Sequence, residues 1–95
     1  LEFRRVLFRS LDAAALGEAL ALAEGAADVR QAAQRLRERF GPLRVVVVDA
    51  FDMRGETPLA SGERRALWGA ASDGHCWQVA PGSAALAGLY VADKE

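Results

Sequence analysis

Cysteine and histidine occur once each in these 95 residues, adjacent to one another as His75 and Cys76. One cysteine closes no internal disulfide, and with one histidine it supplies too few soft ligands for a structural zinc cluster. A single imidazole also leaves no second base for a nucleophile. No apolar run approaches the roughly 18 residues needed to cross a bilayer, so a membrane partner is not expected. Aromatic residues make up only 7% of the chain, two of them tryptophan. What remains is the composition of a globular protein, 52% apolar and 26% charged. A chain of this size forms one domain, and it buries only about 60% of its unfolded surface, so its stability margin is thin.

Residues 1–10, Leu-Glu-Phe-Arg-Arg-Val-Leu-Phe-Arg-Ser, resemble a sequencing adapter translated in frame. That resemblance implies a metagenomic fragment, bacterial in type, whose native domain is residues 11–95. Setting aside Arg4, Arg5, Arg9 and Glu2 changes twelve basic and thirteen acidic residues to nine and twelve, a net charge near −3. An acidic domain exerts no overall attraction on nucleic acid or anionic lipid. The default expectation for its location is cytoplasmic.

Local patterns predict helices first and strands afterwards. Residues 11–23 are rich in alanine and leucine, with Asp12 placed as an N-cap and Gly25 as punctuation. Asp28 caps a second helix in which Val29, Ala33, Leu36 and Phe40 form one apolar stripe, ended by Gly41 and Pro42. Residues 43–49 contain four consecutive valines and predict a strand buried on both faces. Residues 50–63 read as a loop, long for so small a domain. Residues 64–72 and 75–80, separated by Asp73 and Gly74, predict a hairpin with a two-residue type I′ turn. Ser83 can cap a helical turn over residues 84–87, and residues 88–92 predict a final strand. The fold class expected is α+β: two N-terminal helices packed on one face of a three- or four-stranded, mainly antiparallel sheet.

With a two-residue turn, Ser72 opposes His75, Ala70 opposes Trp77 and Trp68 opposes Val79, all on one face of the hairpin. The tryptophans then either fill the core or form a platform on an uncovered face, where they would mark a partner site. The other face carries Gly69, Ala71 and Cys76, small enough for a helix to approach closely. His75 and Cys76 point to opposite sides of a regular strand, which argues against a nucleophilic pair. A buried cysteine acting as a small hydrophobe accounts for Cys76.

Other clusters have simpler explanations than chemistry. Arg30, Arg35, Arg37 and Arg39 on the second helix could meet phosphate, but acids are interspersed and the domain is acidic overall, so a solvated face is expected. Asp49, Asp52, Arg54 and Glu56 gather after the valine strand, yet nothing sets the spacing of a carboxylate pair for hydrolysis. His75 with Asp73 or a loop acid could hold a metal or small ligand, although no ligand pair at helical spacing supports it.

The segments Phe40-Gly-Pro-Leu43, Leu67-Trp68, Asp73-Gly74 with His75-Cys76, and Gly88-Leu-Tyr-Val-Ala92 resemble a small uncharacterised bacterial family associated with nitrogen-fixation gene neighbourhoods. The resemblance covers about half the chain and implies accessory or assembly roles, with no catalytic residues attached. Together these readings predict a non-enzymatic module without a cofactor or metal, binding a protein partner and not nucleic acid. The expected contact residues are Trp68, His75 and Trp77, with Met53 and Arg54 on the adjoining loop. The alternative is a metal- or small-ligand-binding domain built on His75.

Overall fold

A computed structural model describes residues 11–41, 43–72, 77–80, 82 and 86–94. The two helices form where their caps predict. α1 spans Ala13–Gly25, and the Asp12 carboxylate accepts from the Ala15 N–H at 2.8 Å. α2 spans Val29–Phe40, and Asp28 accepts from the Gln31 N–H at 2.8 Å. Each cap satisfies a first-turn donor that has no partner within its helix. The α2 stripe is buried at Ala33, Leu36 and Phe40, joined by Ala32.

Five strands follow: β1 (Arg44–Val47), β2 (Ala60–Ser61), β3 (Arg65–Ser72), β4 (Trp77–Val79) and β5 (Gly88–Asp93). Their order is β1-β5-β3, with β2 and β4 both on the far edge of β3. β2 pairs with Ala66 and Leu67, and β4 with Ala70 to Ser72, so the two lie end to end and the sheet is four strands wide. All pairings are antiparallel except β1 with β5. The fold is therefore α+β, two helices on a mixed, mostly antiparallel sheet. Leu67, Leu89, Val91 and Val45 point to the helical side and share a core with Ala19, Ala23, Leu36 and Phe40. Among the described residues no helix is long and apolar enough to cross a membrane.

Several expectations require correction. The valine run is not buried on both faces: among the described strands β1 lies at an edge, only its Val45 is buried, and Val46 and Val47 are 44% and 38% exposed. The expected loop 50–63 contains a 3₁₀ helix at Ala50–Met53 and the strand β2. The hairpin register is Ser72 with Trp77 and Ala70 with Val79, not Ser72 with His75. Asp73, Gly74, His75 and Cys76, with the expected turn and the expected opposition of His75 and Cys76, lie outside the described residues. Ser83, the expected cap, is also outside the description. Ala84 and Ala85 of the expected turn lie outside it too, and Ala87 donates to Ala70 O at 2.9 Å, extending the ladder ahead of β5. The space left by Gly69 is filled by Leu86 and Leu59, not by a helix: a Cβ there would lie 2.7 Å from Leu86 Cδ2.

The helical layer is latched to the sheet at one corner. α1 has no basic residue in its last turn, so nothing local complements its carbonyl end. Arg65 does so from β3. Its guanidinium, 3% exposed, donates to Ala23 O at 2.8 Å, Ala26 O at 2.9 Å and Asp93 Oδ1 at 2.9 Å. Glu24 returns the contact, its carboxylate accepting from Arg64 N at 3.0 Å and Arg65 N at 2.7 Å. Desolvation pushes the Glu24 pKa up, but the N–H bonds from Arg65, Arg64 and Glu63 and the Arg64 charge outweigh it, holding the carboxyl below its ordinary value of 4.5.

Two outcomes follow from the latch. Because the Glu24 pKa is lowered on folding, its contribution is present above the unfolded pKa and is lost as pH falls through the folded one. Urea unfolding of the protein and its Glu24→Gln variant should therefore show a stability gap near neutral pH that closes as the pH falls below the ordinary carboxylate range. A gap independent of pH would show that the charge is irrelevant. Arg65→Met, which removes the donors to two helix-end carbonyls, should cost about 2–3 kcal/mol in the same assay.

Candidate functional site

Strand alternation places Ala66, Trp68, Ala70, Trp77, Val79, Tyr90, Ala92 and Val46 on the sheet face opposite the helices. This face has two ends with different fates. At one, residues 50–58 fold back over the sheet. The Asp49 carboxylate accepts from Phe51 N at 2.9 Å and starts the 3₁₀ helix, which delivers Met53 inward. Gly55, at φ 88°, makes the left-handed turn that brings the segment back. Met53, Ala66, Trp68 and Ala92 form a second small core, and Trp68 Nε1 donates to Glu56 O at 3.4 Å. A cavity of about 360 Å³ remains beneath this segment, bordered by Met53, Arg54, Pro58, Trp68 and Lys94.

The other end has no such cover among the described residues. Trp77 is 41% exposed there, and with Arg44, Val46 and the half-buried Tyr90 it lines a shallow cavity of about 280 Å³. Its lining is largely apolar, with one cation at the margin. An exposed indole beside an exposed valine and a tyrosine ring loses hydration free energy, which favours covering it with another apolar surface.

The sequence-predicted residues are thus divided. Trp68, 6% exposed, and Met53 are buried together in the second core. Arg54 is exposed near them, its guanidinium carbon 4.9 Å from the centroid of the Phe51 ring. Trp77 stands at the open end, and His75 lies outside the described residues. The choice between core and platform is therefore settled separately for each tryptophan: Trp68 fills a core, though not the helical one, and Trp77 faces outward. Sequence reasoning missed Val46, Tyr90 and Arg44. The signal available was parity, because an edge strand shows every second valine to solvent, but nothing local marks residues 44–47 as an edge.

Among the described residues, no three His, Cys, Asp or Glu side chains converge in a way that could hold a metal ion. Comparison with protein-family models, with curated proteins and with solved structures produced no match.

The two tryptophans should respond oppositely to truncation. Trp68→Ala empties the second core and should cost about 3–5 kcal/mol in urea unfolding. Trp77→Ala should cost less than about 1 kcal/mol. Equal losses would mean that Trp77 is packed in solution.

Proposed function

We propose that the domain is a small non-enzymatic module that binds a protein partner through the open end of its sheet, with Trp77, Val46 and Tyr90 as the apolar centre and Arg44 at the rim. The observation that carries this reading is the exposure of Trp77 and Val46 around a single cavity. Tryptophan, tyrosine and arginine are the residues most enriched where association energy concentrates. The cavity is too shallow and too poor in polar groups to orient a small substrate, whereas a flat apolar face suits a protein surface. The finer reading, a cytoplasmic accessory factor in metalloenzyme assembly, is supported by the family resemblance of the hairpin and final strand.

Affinity capture from a bacterial lysate, comparing the protein with Trp77→Ser and Val46→Ser variants of unchanged melting temperature, tests the reading. Proteins bound through this face should be lost from both variants. Recovery of the same set by all three would overturn it.

A further inference from the structure

Among the described residues, the outer edge of β1 carries an incomplete hydrogen-bond ladder beside a row of arginines. Arg44 N donates to Ala87 O and Val48 N to Val91 O, so residues 44, 46 and 48 direct their backbone groups towards β5. Val45 and Val47, alternating with them, direct theirs away from the sheet. One of those groups is occupied: the Arg37 guanidinium reaches down from α2 and donates to Val45 O, at 2.7 Å from Nη2 and 3.2 Å from Nε. Between α2 and this edge runs a groove of about 460 Å³, with Arg30, Gln34 and Arg37 on its wall and Val45, Val46 and Val47 on its floor. Among the described residues, none of Arg30, Arg37 and Arg44 forms an ion pair with a carboxylate.

Resting on the interaction reading above, we propose that this edge accepts an extended segment of a partner protein in which acidic and apolar residues alternate. Added to β1, such a segment pairs with the outward N–H and C=O groups of Val45 and Val47, as in strand addition to other exposed edges. Strand alternation then sends its acidic side chains to the helical side, against Arg30 and Arg37, and its apolar ones to the side of Val46, Tyr90 and Trp77. Arg37 exchanges a carbonyl for a carboxylate, the stronger acceptor for a guanidinium, while the incoming N–H takes over Val45 O. In the unbound state the same arginine blunts the edge, which discourages indiscriminate pairing. A second copy of the chain fits less well, because its own Arg30 and Arg37 would be brought against these. Nucleic acid would use the arginines but leave the strand groups and valine floor unmatched.

The test uses a fluorescein-labelled peptide, EVEVEVE, with KVKVKVK and an oligothymidylate as comparators. Saturable binding of the acidic peptide is expected, weakening between about 50 and about 300 mM salt. Arg30→Glu, which leaves the Arg37 bond intact, and the double variant with Arg37→Glu should lower affinity stepwise, the double by about tenfold. Hydrogen exchange should slow at the Val45 and Val47 amides on binding. Absence of saturable binding, equal binding of KVKVKVK, tighter binding of the oligothymidylate, or dimerisation of the protein alone through these amides would each overturn the proposal. Loss of peptide binding with Trp77-dependent capture retained would sink the edge assignment and leave the interaction reading standing.

Discussion

The buried guanidinium of Arg65 holds together three parts of the chain that local forces leave separate. It ends α1 by donating to Ala23 O and Ala26 O, begins β3 by its own backbone, and meets Asp93 at the end of β5. A charge at 3% exposure is tolerable only because its donors find acceptors in three directions. Glu24 completes the exchange by accepting the amides that open β3. The helix thus lends its carbonyl end to an arginine some forty residues away, and the strand lends its first amides to a helix carboxylate. With this corner set, the angle between α1 and the sheet is no longer free, and the packing of Leu67, Leu89 and Val91 beneath both helices follows.

Once the helices occupy one face, the other must be protected by whatever chain is left. Residues 50–58 are enough to bury Trp68, Met53 and Ala92, but they reach only one end of the sheet. The parallel pairing of β1 with β5 places β1 at an edge, beyond that cover. Exposure of Val46 and Trp77 is therefore a consequence of topology. The same placement leaves the outward groups of Val45 and Val47 beside α2, where Arg37 attends to one of them.

The parts legible from sequence were those decided by near neighbours. Asp12 and Asp28 act within three residues of themselves, so both helix starts were readable. Parity was readable too. The hairpin register differs from expectation by two residues, and because side chains alternate with a period of two, Trp68 and Trp77 still share a face although their partners changed. Asp73 and Gly74, which suit a tight turn, lie outside the described residues, and what is corrected is the register, Ser72 pairing with Trp77. Of the expected contact residues that the structure describes, Trp77 stands at the open end of the sheet, while His75 lies outside the description. Trp68 and Met53 found each other across a loop whose path no local signal specified.

By itself the sequence determined the helices, their buried stripe, the β-prone segments and the α+β class, because capping, periodicity and β-branching act over a few residues. Tertiary structure alone decided that the valine strand lies at an edge, which face the helices cover, and that Arg65 closes α1. Those outcomes depend on contacts between residues far apart in the chain, where one-dimensional patterns carry no information about who the neighbour will be.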